Sequence, residues 1–226
     1  MHILLFLAKF VRMIQIKRFE HNPFSENTYV LHEEGHADCI IVDPGMYNNQ
    51  EEVAVANYIV ERQLKPVLLL NTHCHVDHVL GNKYIFDHFG MLPQFHENEA
   101  AVLSDVQVRA PMYGLRYEQS PIPDRFLPES GEIKFGSVNI VLIFAPGHSP
   151  GHLCFYLPQE QMLIGGDVLF KGSIGRTDLP GGNHRLLLTN IKEKLYSLPD
   201  QTIVFPGHGP ETTIGNEKAS NPFIRG

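Results

Sequence analysis

Cysteine is scarce in this sequence, and no two cysteines form a Cys-x-x-Cys pair. Three occur in 226 residues, Cys39, Cys74 and Cys154. An odd number with this spacing excludes a disulfide framework in which every cysteine is paired. Free thiols persist in a reducing compartment. We therefore predict a cytoplasmic protein.

Long apolar runs and clusters of positive charge are also lacking. The apolar run near the start is too short to span a bilayer, is interrupted by Lys9 and Arg12, and lacks the cleavage site of a signal peptide. Lys and Arg are scattered in a chain of formal net charge −7, so no basic stripe is available to a phosphate backbone. The sequence thus predicts neither a membrane nor a nucleic acid as partner.

Repeats, low-complexity segments and long linkers are absent as well. A chain of 226 residues with 43% hydrophobic residues is long enough to bury one core. A strand-like stretch begins after Met13. We therefore predict a single domain over residues 13–226, preceded by an extension over residues 1–12 that is either disordered or packed on the domain edge. No pattern predicts the oligomeric state.

Apolar segments predict strands with helices between and around them, and hence a layered α/β domain. A helix follows the turn at residues 43–45, and Asn49 is its predicted N-cap. Its predicted apolar face consists of Val53, Ala56, Ile59 and Val60. Further helical segments are predicted over residues 84–109, with a break around Pro93, and over residues 184–196. The predicted strands lie near residues 14–19, 27–32, 39–42, 67–70, 133–135, 138–144, 152–157, 162–164 and 202–205.

Four of these strands each end a few residues before a potential metal ligand. In chain order, the ligands are His73, His148, Asp167 and His208. Loops that leave one edge of a sheet converge in space, and the strands hold their side chains within the small tolerance that a metal ion requires. The repetition predicts a metal site at a sheet edge.

The densest group of candidate ligands is the segment THCHVDH at residues 72–78. It offers three imidazoles and one carboxylate, a nitrogen and oxygen set that suits zinc, iron or manganese: His73, His75, Asp77 and His78. Alternating side chains direct the first two residues to one ion, and the following turn directs the last two to a second. A structural zinc site is a poor alternative, because such sites have four ligands and are rich in cysteine.

These motifs resemble those of the metallo-β-lactamase-fold superfamily. The His-x-His-x-Asp-His motif of that family corresponds to residues 73–78, and its later motifs correspond to APGHSPGH, GGD and FPGHGP, which contain His148, Asp167 and His208. The resemblance implies an αββα four-layer sandwich that binds two metal ions. One ion is bound by His73, His75 and His148, the other by Asp77, His78 and His208, and Asp167 bridges them.

Two further segments, FKGSIGRTDLPGG and GHGPETTIGNEKASNPF, are similar to the glyoxalase II-like (hydroxyacylglutathione hydrolase-like) branch, a group of thioesterases. This similarity implies two Zn²⁺ ions, with iron or manganese as alternatives, and a small-molecule 2-hydroxyacyl thioester as substrate. A Lys and a Tyr of glyoxalase II align with Arg176 and Asp178. These two residues and His184 are our candidates for substrate binding, against the alternative of a salt-bridged loop and a helix cap. Glyoxalase II has a C-terminal helical domain that helps to hold glutathione, whereas this sequence ends soon after His208, so the carrier thiol stays open.

The expected mechanism uses a hydroxide that bridges the two ions and attacks the thioester carbonyl. Asp77 and Asp167 are the predicted catalytic residues because they fix the geometry of the ions. The alternative is a persulfide dioxygenase of the same fold, which also has a THCH-type motif and a GRTD-like segment but binds a single iron ion. The glycine-framed motif around His208 favours a second metal ion and therefore the hydrolase.

Overall fold

The computed structural model describes residues 13–226. The predicted extension over residues 1–12 lies outside the described residues, and the single-domain boundary stays a prediction. Within residues 13–226, every helix is too short or too polar to cross a membrane.

The first sheet is formed by five strands from the first half of the chain. β1, β2 and β3 form an antiparallel meander, and β4 and β5 extend it with parallel pairs. Parallel pairs require crossover connections. α1 connects β3 to β4, and α2 and α3 connect β4 to β5. The elements are β1 (Ile14–His21), β2 (Glu26–Glu33), β3 (Asp38–Val42), α1 (Asn49–Glu61), β4 (Lys65–Leu70), α2 (Val76–Val79), α3 (Asn82–Phe89) and β5 (Pro93–Gln94).

The second sheet comes from the second half of the chain, which follows helix α4. Its elements are α4 (Ala100–Met112), β6 (Ser130–Phe135), β7 (Val138–Phe144), β8 (Leu153–Leu157), β9 (Met162–Gly166), β10 (Leu169–Phe170), β11 (Ser173–Ile174), α5 (His184–Asn190), β12 (Ile203–Pro206), β13 (Thr212–Thr213) and α6 (Ile214–Ser220). Six strands form the sheet in the order β13-β12-β9-β8-β7-β6, and β10 and β11 form a separate hairpin. A π-helical turn, Ile191–Leu195, continues α5.

The core lies between the two sheets, and helices cover their outer faces. Alternation along each strand produces this arrangement, because successive side chains point to opposite faces. In β3, Ile40 packs in the cluster between the sheets, whereas Ile41 packs outward with Ile59 of α1. In the second sheet, Leu163 packs outward with Leu187 of α5. The predicted αββα four-layer sandwich is confirmed.

The predicted start of α1 is wrong by one residue. Asn48 is the N-cap, because its side chain accepts hydrogen bonds from the backbone N–H groups of Gln50 and Glu51. Asn49 is already the first helical residue.

Candidate metal centre

The seven predicted metal ligands lie together at one edge of the two-sheet core. They come from the loop and helix α2 that follow β4, and from the loops that follow β7, β9 and β12. Six of them fall into two groups, His73, His75 and His148 and then Asp77, His78 and His208, in each of which the potential ligand atoms lie within 4.8 Å of one another. Asp167 lies within 3.6 Å of members of both groups. The structure therefore brings all seven side chains together. Their role as ligands stays a prediction.

The first cluster consists of His73, His75 and His148. His75 Nδ1 lies 2.8 Å from His148 Nε2, which lies 3.2 Å from His73 Nε2. Imidazoles bound to one tetrahedral zinc ion at about 2.0–2.1 Å place their nitrogens roughly 3.3 Å apart. Burial and the neighbouring imidazoles lower the pKa of His73 well below its ordinary value, and lower that of His75 to about 3. The rings are thus neutral, which is the form that binds a metal.

The second cluster consists of Asp77, His78 and His208. Asp77 Oδ2 lies 3.1 Å from His208 Nε2 and 3.8 Å from His78 Nε2. His78 Nε2 is buried and has no hydrogen-bond partner among residues 13–226. Burial lowers the pKa of His78, but the Asp167 and Asp77 carboxylates outweigh it and raise that pKa well above its ordinary value. The two carboxylates thus favour a positive charge between them. A metal ion would supply this charge and would also give His78 Nε2 a partner.

The Asp167 carboxylate lies between the two clusters. Its Oδ1 is 3.5 Å from His78 Nε2, and its Oδ2 is 3.4 Å from His148 Nε2 and 3.6 Å from His208 Nε2. Oδ1 is buried, and the described part of the chain offers it no hydrogen-bond partner. Burial raises the pKa of this carboxyl group, but the surrounding imidazoles lower it far below its ordinary value. The position fits a ligand shared by two ions.

Hydrogen bonds from the opposite ring nitrogens fix the orientation of the imidazoles. His148 Nδ1 donates to the backbone oxygen of Arg176 at 2.8 Å, and His208 Nδ1 donates to that of Phe24 at 3.0 Å. A carbonyl oxygen can only accept, so Nδ1 carries the proton in both rings and Nε2 is free to bind an ion. Such outer contacts orient metal-binding histidines and tune their affinity.

Asp43 is a site residue that the sequence analysis missed. It is buried, and it accepts hydrogen bonds from Thr72 N at 2.7 Å, Thr72 Oγ1 at 2.6 Å and His78 Nδ1 at 3.1 Å. His73 Nδ1 lies 3.1 Å from Thr72 Oγ1, which accepts because its own hydrogen is donated to Asp43. Asp43 thus supports one ring in each cluster. Its φ of 48° is a left-handed conformation that Asp tolerates better than most residues.

His152 is a second residue with no predicted role, although the motif APGHSPGH contains it. It is buried, and its Nε2 accepts a hydrogen bond from Asp167 N at 3.0 Å. Its ring stacks on that of His73, with centroids 4.9 Å apart and planes inclined by 22°. His152 therefore contacts a residue of the first cluster and the residue between the clusters. The signal available in the sequence was its place in that motif.

A cleft of about 600 Å³ opens onto the two clusters. Small-molecule sites have this size and are mostly apolar with a few polar groups. Its floor is formed by His75, Asp77, His148, Asp167 and His208. Its apolar wall comes from the β1–β2 turn, α2, α4, the β10–β11 hairpin and the loop after it: Phe24, Val76, Ala101, Val102, Tyr113, Phe170, Ile174, Leu179 and Pro180.

Of the three predicted substrate-binding residues, one lines this cleft. Arg176 lines it and forms a bidentate ion pair with Asp178, with both nitrogen–oxygen distances 2.7 Å. Asp178 itself is not part of the lining. His184 is the first residue of α5, which is capped by the Asn183 side chain, and it does not line the cleft either. Arg109, for which no role was predicted, does line the cleft.

Comparisons with known proteins agree with the fold and with the motifs. The family model described as the Metallo-beta-lactamase superfamily matches residues 21–208, a range that contains all seven predicted ligands. Hydroxyacylglutathione hydrolase GloC of Haemophilus influenzae is 38% identical over 189 residues, which cover 83% of this chain and 87% of GloC.

Two solved structures are similar over nearly their whole length. The crystal structure of the BLEG-1 B3 metallo-beta-lactamase superposes with a TM-score of 0.86 and 36% identity, and the match covers 94% of this chain and 100% of that one. The crystal structure of TTHA1623 in a di-iron-bound form superposes with a TM-score of 0.80 and 33% identity, covering 92% and 100% of the two chains. The fold similarity therefore extends to a neighbour that binds two metal ions.

Proposed function

The chain belongs to the Metallo-beta-lactamase superfamily, and we propose that it is a two-zinc thioesterase of the glyoxalase II type. It is a metal-dependent hydrolase of this fold, with His and Asp metal-site clusters. The proposed substrate is a small 2-hydroxyacyl thioester. One observation carries the proposal: members of both ligand clusters, with Asp167 between them, line an apolar cleft of small-molecule size.

In this proposal the first cluster would hold one ion and the second cluster the other, and the Asp167 carboxylate would be available to both. Bound zinc ions supply Lewis acidity and lower the pKa of a water molecule, so that a nucleophile is available near neutral pH. Asp77 and Asp167 would be the carboxylate ligands that position the ions. Nδ1–H hydrogen bonds keep His148 and His208 in the tautomer whose Nε2 faces the cleft.

The cleft walls supply binding and exclusion of water. Phe170, Ile174 and Val102 contribute apolar surface to the cleft that the clusters line, which suits the acyl chain and the sulfur of a thioester. Arg176 lies at the rim, where its guanidinium can bind a carboxylate of the substrate in place of Asp178. The name of GloC supports a hydroxyacyl thioester as the substrate class.

Two further expectations belong to this proposal. Cys39, Cys74 and Cys154 are buried free thiols, which supports a cytoplasmic protein. The second cluster argues against the alternative of a persulfide dioxygenase with one iron ion, because Asp77, His78 and His208 offer a complete second set of ligands.

The test is to purify the full chain without added metal, measure bound zinc, iron and manganese, and assay a panel of thioesters that includes lactoylglutathione. We expect two metal ions per chain, predominantly zinc, and thioester hydrolysis that disappears in Asp167→Ala. One iron ion per chain with oxygen uptake on a persulfide would establish the dioxygenase instead. Hydrolysis of a β-lactam without thioester hydrolysis would also overturn the proposal. A β-lactam is therefore included in the assay, because the similar BLEG-1 structure is named as a metallo-beta-lactamase.

A further inference from the structure

Glu99 is a fully buried acidic residue that immediately precedes α4. Both oxygens of its carboxylate accept hydrogen bonds. Oε2 accepts from Cys74 N at 2.8 Å, and Oε1 accepts from Ser149 Oγ at 2.6 Å and from Gly151 N at 2.6 Å. The residue contacts no ligand side chain through these bonds, and the mechanism proposed above does not use it.

The three donors belong to the two loops that carry the first cluster. Cys74 stands between His73 and His75 in the chain, and its amide hydrogen is directed at Glu99. Ser149 directly follows His148, and its hydroxyl is directed at the other oxygen of the same carboxylate. Glu99 is thus a link of fixed length between the two segments whose imidazoles must meet at one ion.

We propose that Glu99 is a positioning residue, whose carboxylate sets the distance between residues 73–75 and residues 148–151 so that three imidazoles converge on the first metal ion. The inference rests on the proposed function in that it takes metal binding by this cluster as given. Because Glu99 immediately precedes α4, it also joins the metal centre to the helix that lines the cleft.

Only a carboxylate satisfies this arrangement. All three partners donate, and they approach both oxygens, so an amide at this position would turn its NH₂ group toward another donor. A small shift is also obstructed, since the space around the side chain is filled: a Cβ added at Gly151 would lie 2.9 Å from Glu99 Cγ. Glu99→Gln therefore forces one of the two loops to move.

Glu217 provides a matched control. It too is fully buried, and its carboxylate accepts hydrogen bonds from Gly172 N at 2.9 Å, Asn221 Nδ2 at 2.8 Å, Asn216 Nδ2 at 2.8 Å and Thr212 Oγ1 at 2.5 Å. None of these partners is one of the seven predicted ligands or a chain neighbour of one. Glu217→Gln therefore removes the same kind of buried carboxylate without touching the loops of the first cluster.

The experiment measures zinc binding by competition with a chromogenic chelator, using the full-length wild type, Glu99→Gln and Glu217→Gln, together with thermal unfolding of the metal-free proteins. Removing a residue that supports a ligand typically costs 10- to 100-fold in metal affinity. We expect the dissociation constant of one of the two zinc ions to rise by about 10-fold or more in Glu99→Gln and to keep its wild-type value in Glu217→Gln. Both variants should unfold at lower temperature than the wild type.

Equal zinc affinities in Glu99→Gln and the wild type would overturn the inference, as would an equal loss of affinity in both variants. If Glu99→Gln does not fold, Ser149→Ala removes a single donor and keeps the carboxylate. Ser149→Ala should lower the affinity for one zinc ion by a smaller factor than Glu99→Gln. An unchanged affinity would count against the role of Glu99. Wild-type protein that binds two zinc ions but hydrolyses no thioester would refute only the proposed function.

Discussion

Gly207 directly precedes His208. Replacing Gly207 by alanine should displace two of the predicted metal ligands through steric contact alone. A Cβ at this position would lie 2.7 Å from His78 Cε1 and closer still to Asp167 Oδ1. Ordinary contact begins at 3.4 Å, so the His78 ring must retreat by about 0.7 Å and the Asp167 carboxylate by more, whereas a site of this kind tolerates displacements of only about 0.5 Å. Over-packing of this kind costs about 1–3 kcal/mol of stability.

Gly209 is the control for this prediction. Its φ is +73°, and an added Cβ would meet no atom of the described residues within 4 Å, so Gly209→Ala costs roughly 1–2 kcal/mol through backbone strain alone. Metal content after dialysis, thioester hydrolysis and thermal unfolding should be measured for both variants. We expect similar losses of stability, but loss of bound metal and of activity only in Gly207→Ala. Two ions per chain and wild-type kcat in Gly207→Ala would refute the steric reasoning.

Three further predictions concern the ligands, the cleft rim and the C-terminal network. His73→Ala and Asp167→Ala should each abolish hydrolysis but keep the wild-type circular dichroism spectrum, because ligands rather than core side chains are lost; full activity in either variant, or in chelated wild type, contradicts the mechanism. Arg176→Ala should raise KM for a carboxylate-bearing thioester roughly tenfold at unchanged kcat; a fall in kcat alone excludes a binding role. Burial raises the pKa of Glu217, but the four hydrogen-bond donors outweigh burial and lower this pKa below the ordinary 4.5. The ionised Glu217 therefore contributes fully to stability above pH 4.5, and this contribution is lost as the pH falls through the pKa of the folded protein. The difference in Tm between wild type and Glu217→Gln should therefore shrink from about pH 6 to about pH 3, and a constant difference would contradict this assignment.

The positions of the seven candidate ligands were predictable from the sequence for a physical reason. His73 and His75 are close in the chain, and His148, Asp167 and His208 each follow an apolar strand, so both local spacing and strand ends carry the information. The layers were predictable because alternation along each strand determines which side chains enter the core.

Contacts between distant residues were not predictable in the same way. Asp43 supports Thr72 across 29 positions, and Glu99 supports Gly151 across 52, so neither acidic residue stands in a motif with its partners. The sequence pattern marks residues 43–45 only as a turn that precedes a helix.

The orientation of α1 also escaped prediction, for a related reason. The predicted apolar face includes Ile59, which is buried, but also Val53 and Val60, which are 43% and 70% exposed; the helix buries Val55 in their place. Valines occur on several sides of this helix, and only packing against the first sheet selects the face that is buried.

The residues of the second cluster follow strands of both sheets. The loop that carries His208 follows β12 of the second sheet, but residues of the first sheet hold it. Asn27 Nδ2 donates to the backbone oxygens of Pro206 and Gly209 at 2.9 and 2.8 Å, and Phe24 O accepts from His208. The other two members of this cluster follow β4 of the first sheet. An ion bound as proposed would therefore join loops from both sheets. Metal binding and the packing of the two sheets would then be coupled, because the contacts that hold the sheets together also position the second cluster.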